Sequence, residues 1–202
     1  MPFHGPRAAV VALASAIAFS VTGCGLTKTV QCNNLIDTIN EGIALIEDFE
    51  KKSQDFESKT EKAKDPGTMV PIMNEFADLL ETFTGELGTV TEDLDAIELK
   101  DETLIGFQQD YSSNLKELNG LFGQLTQALR DMGGVLDAIS KTPRAQITPD
   151  KAKKWAADAQ KAEADVAKVE TNSKTATEAI DTIADDINDY CGREAPDAAE
   201  GE

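Results

Sequence analysis

From Cys32 onward, apolar and small residues recur at alternating steps of three and four, the spacing that gathers one helical face into a buried seam. In the first segment the positions are Cys32, Leu35, Ile39, Gly42, Ile46, Phe49, Ser53, Phe56, Thr60 and Ala63. "KDPGT" at 64–68 stops that segment and offers Thr68 as a cap for the next. The second seam is uninterrupted: Met69, Met73, Phe76, Leu80, Phe83, Leu87, Val90, Leu94 and Ile97. "LKDET" at 99–103 shifts the register, and Asp101 is a suitable N-cap for a third helix. Its seam runs Leu104, Gln108, Tyr111, Leu115, Leu118, Phe122, Leu125, Leu129, Met132, Leu136 and Ile139, with Gln108 the polar exception. The loop "SKTPRAQITPDK" at 140–151 closes with Thr148, Pro149 and Asp150: a cap, a first-turn proline and an acid at the positive end of a helix dipole. The fourth seam is Trp155, Ala159, Ala162, Val166, Val169, Ser173, Ala176, Ile180, Ile183, Ile187 and Tyr190, and "CGREAP" ends it.

Short connections between long helices favour antiparallel neighbours. The expected fold is therefore all-α: an antiparallel up-down-up-down four-helix bundle over residues 32–191 with coiled-coil-like seams and a longer second hairpin. Residues 192–202 are small and acidic and read as a disordered tail. In this topology the start of the first helix meets the end of the fourth, which brings Cys32 to Cys191. A disulfide there would contribute about 5 kcal/mol on the loop-entropy argument. Helices one and two cover about 30 to 34 residues and helices three and four about 40, so the second hairpin is expected to overhang by roughly 10 Å at 1.5 Å per residue. Alternatively, Gly133 and Gly134 break the third helix and its tip folds back.

The N-terminus changes where this bundle is expected to work. Residues 10–22 carry no charge and Arg7 is the one charge before them, a basic region followed by a short apolar one, as in a secretory signal. The stretch is too short and too rich in alanine and serine to cross roughly 30 Å of hydrocarbon. Val21, Thr22 and Gly23 directly before Cys24 resemble the lipobox of bacterial lipoproteins. That resemblance implies a signal peptide over 1–23, acylation of Cys24, and a lipid-anchored linker over 24–31. Two or three acyl chains anchor stably, since each buried CH₂ contributes about 0.8 kcal/mol. The seven residues between Cys24 and Cys32 span at most roughly 25 Å, so the rod is expected to stand on or near its membrane. The compartment would be extracytoplasmic, a bacterial envelope or a thylakoid lumen face, where the two remaining cysteines are oxidised.

Charge and chemistry then narrow the function. Without residues 1–23 the chain has 18 basic and 37 acidic residues, which argues against nucleic acid as a partner. The single histidine, His4, leaves with the signal, and with it histidine catalysis and histidine metal ligation. No activated nucleophile or Gly-rich phosphate loop replaces them, so no enzyme and no cofactor is expected. Asp185, Asp186 and Asp189 lack the turn of a calcium loop and read as a solvated face. Ser53 and Ser173 either line a polar pocket or bond to the preceding turn, the second being favoured.

One stretch departs from the acidic background. Lys141, Arg144, Lys151, Lys153 and Lys154 face only Asp150, a balance of +4 over residues 141–154. Together with Leu136, Ile139, Ile147 and Trp155, the only tryptophan, they form an expected docking tip for a protein partner at the end away from the membrane.

Three stretches, "QCNNLIDTIN" after Cys24, "AIELKDETLIGFQQDYSSNL" at the middle turn and the closing "INDYC", resemble a family of small cyanobacterial helical lipoproteins without an assigned activity. The resemblance spans most of the chain after Cys24 and implies the same pairing of Cys32 with Cys191. The longer tip, residues 133–155, departs from it. The expected function is thus a lipid-anchored, non-catalytic structural or docking protein. The alternative is a module holding an apolar small molecule or lipid between helices. Neither the partner nor the oligomeric state follows from the residues.

Overall fold

A computed structural model describes residues 27–63 and 65–192. These form four helices, α1 (Lys28–Lys62), α2 (Pro66–Asp95), α3 (Glu102–Lys141) and α4 (Pro149–Gly192), with one 3₁₀ turn at Arg144–Gln146 between the last two. The chain is an all-α helical bundle, with no strand among the described residues.

Each helix starts at a side chain that satisfies its open N–H groups. Thr27 accepts from the Val30 amide at 3.4 Å. Asp101 accepts from Thr103 and Leu104 at 3.0 and 3.1 Å, and Thr148 accepts from Lys151 at 3.3 Å. For α2 the cap is Asp65 rather than Thr68. Thr68 is the third helical residue and closes a capping box with Asp65, with Pro66 in the first turn. The start of α1 is a second correction: the helix begins at Lys28, so the last four residues of the linker expected over 24–31 are helical. α4 likewise continues through Cys191 to Gly192.

Contacts between α2 and α3 step in opposite chain directions, which fits the up-down order. Asp95 meets Ser112 and Lys116, Thr84 meets Asn119, and Asp78 meets Arg130. α1 packs on α2, α2 on α3 and α3 on α4, while the side between α1 and α4 is closed most lightly. Leu35, Leu80, Leu87, Leu94, Leu104, Tyr111, Leu115 and Ile187 are fully buried. All of these are seam positions, but the pattern is not followed throughout: Thr60 is exposed, and in the second half of α3 Leu121, Thr126 and Ala128 are buried whereas the seam positions Leu125 and Leu129 are half-buried.

Above this layer the core is aromatic. Phe49 stacks on Phe83 with ring centroids 4.3 Å apart, and Phe122 meets Phe83 edge-on at 5.2 Å. Gly42 admits this approach of α1 to α2: a Cβ there would meet Val90 at 3.3 Å.

The expected overhang of the second hairpin is absent. Gly67, in the first turn of α2, is level with the last turn of α3: a Cβ on Gly67 would lie 4.0 Å from that of Ser140. The extra length of α3 is taken up at the opposite end. There, Gln108 on α3 donates from Nε2 to the Leu94 and Ile97 carbonyls at 2.6 and 3.0 Å. The polar exception in the third seam therefore closes the C-terminus of α2, and residues 96–101 run beside the first turns of α3. The fold-back alternative fails too, because α3 passes through Gly133 and Gly134 without a break.

Candidate functional site

Two ends of the bundle carry the residues singled out by the sequence. The first, here the base, holds the start of α1, the end of α4 and the connection into α3. Cys32 and Cys191 form a disulfide across 159 residues, Cα atoms 5.8 Å apart. Beside it Gln31, which is buried, accepts through Oε1 from the backbone amides of Lys100 and Asp101. Asp101, besides capping α3, accepts from the Tyr190 hydroxyl at 3.0 and 3.1 Å. The Tyr190 ring carries the Lys28 ammonium 3.6 Å from its centroid and meets Phe107 edge-on at 5.9 Å.

These groups shape one another's chemistry. The Leu104 amide foremost, then the Tyr190 hydroxyl and the Thr103 amide, hold the Asp101 carboxyl below its ordinary range. Lys116, and then Ser112, do the same for Asp95 near the end of α2. Tyr111, buried in the third turn of α3, is pushed the other way, by burial first and by Asp181 second. Among the described residues its hydroxyl is the one buried side-chain polar atom without a partner. Asp181 is raised by burial and by its neighbour Asp185.

At the opposite end, the tip, the bundle offers charge and apolar surface with fewer ties. Leu136, Ile139, Ile147 and Trp155 are half-buried, whereas Lys141, Arg144, Lys151, Lys153 and Lys154 are exposed. Lys141 pairs with Asp137 one turn back at 2.9 Å. Arg144, Lys151, Lys153 and Lys154 make no ion pair with any described residue. The apolar members are thus partly covered while the cations are exposed around them in sequence.

Other candidates resolve into local structure. Ser53 donates to the Phe49 carbonyl at 2.8 Å and Ser173 to that of Glu170 at 3.2 Å, each a bond to its own preceding turn. Asp185, Asp186 and Asp189 are exposed along the end of α4. No group of three or more metal-ligating side chains gathers among the described residues. One cleft, of about 480 Å³, lies at the surface between Asn34, Asp37 and Thr38 of α1 and residues 96–98, and another of about 370 Å³ lies between α1 and α2 around Phe56 and Leu79. Cys24 and the tail from 193 lie outside the described residues.

The sequence reading placed Cys32, Cys191 and Asp101 correctly but missed Gln31, Lys28 and the bond from Tyr190 to Asp101. No local pattern reveals that bond, since it joins residues 89 apart. No helix among the described residues is long and apolar enough to cross a membrane. No protein-family model, curated protein or solved structure matches the chain.

Proposed function

We propose that this protein is an exported lipoprotein, held to a bacterial membrane by acyl chains on Cys24, that acts without catalysis as a rigid rod presenting its tip to a protein partner. The observation that carries the reading is the short stretch of chain from Cys24 to the start of α1. Three peptide units separate it from the Thr27 cap, a reach of at most roughly 10 Å. An anchor at Cys24 would hold the disulfide-closed base against the headgroups, the end-on contact of an upright rod. The strongly acidic body, repelled by anionic lipid, favours the same upright pose. At 1.5 Å per residue the 44 residues of α4 then carry the tip about 65 Å from the surface.

The tip supports docking because four of its cations, Arg144, Lys151, Lys153 and Lys154, make no ion pair with any described residue and lie close in sequence to the half-buried Trp155, the kind of anchor that dominates interfaces. The ligand-binding alternative draws less support, since both clefts described above lie at the surface and the centre of the bundle is occupied by buried leucines and Tyr111. Native purification from membranes separates the readings. Replacing Trp155 and Arg144 by alanine should release a co-purifying protein while helicity stays unchanged. An unchanged set of partners, or a solvent-extractable lipid that travels with the bundle, would reject docking at the tip.

A further inference from the structure

The outer face of α4 distributes its charge in a way that folding of a single chain does not explain. Lysines 151, 153 and 154 occupy its first turns and aspartates 181, 185, 186 and 189 its last. Cations at the positive end of a helix dipole and anions at the negative end both oppose it. From Lys154 to Asp189 the positions that recur at steps of three and four opposite the buried seam are all exposed. They are cationic in the first half (Lys154, Lys161, Lys168), anionic in the second (Glu178, Asp185, Asp189), and small between: Ala157, Ala164, Thr171, Thr175 and Thr182.

We propose that this face pairs with the same face of a second copy, antiparallel about a two-fold axis between residues 169 and 170. In that register Lys154 meets Asp185 of the second copy, Lys161 meets Glu178, and Lys151 meets Asp186 on the flank, each pair occurring twice. The alanines and threonines fall opposite one another and let the helices approach closely. The one like-charge meeting is Asp150 against Asp189 at the outermost layer. Running the helices parallel sets lysine against lysine. A shift of one heptad one way keeps Lys161 opposite Asp185 and Lys168 opposite Glu178 but sets Asp158 against Asp186 and Lys174 against its own copy on the flanks, and the other way leaves Lys154 opposite Glu178 as the single attractive pairing along the stripe. Lys161 currently pairs with Asp165 at 2.8 Å and Lys174 with Glu178 at 3.8 Å. Such exposed pairs within one helix contribute little and exchange readily for partners across an interface. A contact about 50 Å long and one helix wide lies at the small end of specific interfaces, so the dimer is reversible and salt-sensitive.

The pairing lays the basic tip of each rod beside the acidic base of the other. Combined with the anchor, and resting on it, the arrangement puts the two Cys24 residues at opposite ends of the dimer, so that it would tie together two facing membranes. The pairing itself stands whether or not Cys24 is acylated.

Sedimentation of the full-length protein in detergent, as processed by the cell, tests it. Dimer should form at low salt and weaken at high salt. Two charge-swapped chains, K154E/K161E and E178K/D185K, should each associate roughly tenfold more weakly than the parent, because like charges then oppose at all four central positions of the self-pair. Mixed, they should form a heterodimer at parental strength, since all four central pairs become attractive again. Spin labels on Thr171→Cys should lie about 10 Å from their copies, and on Lys154→Cys about 45 Å. A monomer at all salts, swapped chains that pair as well alone as together, or a short distance at position 154 would each overturn the proposal.

Discussion

The base and the tip close the same four helices by different means. At the base every element that arrives is tied to another through a side chain: α1 to α4 by Cys32 and Cys191, α1 to the α2–α3 connection by Gln31, and α4 to the start of α3 by Tyr190 and Asp101. At the tip the turns are held by caps and by 3₁₀ bonds within one stretch of chain, such as Gln146 N–H to the Pro143 carbonyl at 2.8 Å. Four of its cations are left to solvent. Polar groups used up between elements fix a geometry, whereas groups left unpaired at a rim are available to a partner. The base is thereby the end suited to being held, and the tip the end suited to contact.

The disulfide is the largest difference between the two ends, and removing it is the strongest way to break the comparison. Replacing Cys32 and Cys191 by serine should lower the unfolding free energy by about 2–5 kcal/mol, read by denaturant titration. The loss should concentrate on α1, whose contact with α4 is the lightest between neighbouring helices. Gln31→Ala should follow with roughly 1–3 kcal/mol, because it leaves two partly buried amides without an acceptor. The matching change at the tip, Arg144→Ala, should stay within about 0.5 kcal/mol.

How far the fold could be read depended on how local each cause is. The seam of α2 repeats over nine positions, and periodicity of that length reports burial directly. Asp101 stands immediately before the residues it caps, so it too was readable. Lys28 to Gln31 carry no apolar repeat that would mark them as helical, and Gln31 earns its burial from amides some seventy positions away. The missing overhang has the same origin. Helix lengths were nearly right, but register depends on where the connection after α2 packs, and Gln108 sets that through carbonyls of another helix. At the tip, the charged residues were legible as a patch because they adjoin in sequence, but not the partial burial of Trp155.

Tyr111 sharpens the comparison as the exception near the base. Removing its unpartnered hydroxyl with Tyr111→Phe should stabilise the fold by about 1 kcal/mol. It should also delay alkaline unfolding: because folding raises this phenol above its ordinary value, stability present below pH about 10 is lost as pH rises beyond it. The acid limb has the opposite cause. Asp101 and Asp95 are depressed on folding, so their contributions are full above pH about 4 and disappear as pH falls through the lower folded values. Asp181, raised on folding, acts in the opposite sense and above that range: its contribution is present below pH about 4 and is lost as pH rises through its higher folded value. Thermal melts of Asp101→Asn should show a shallower acid loss than the parent, whereas Lys151→Gln at the tip should leave the profile unchanged.

The direct test of which end is held is the mass of the protein recovered from its own membranes. The account predicts a chain beginning at Cys24 that carries two or three acyl groups, together with an intact Cys32–Cys191 bridge. A Cys24 without acyl groups, on protein that leaves the membrane in aqueous buffer, would contradict it.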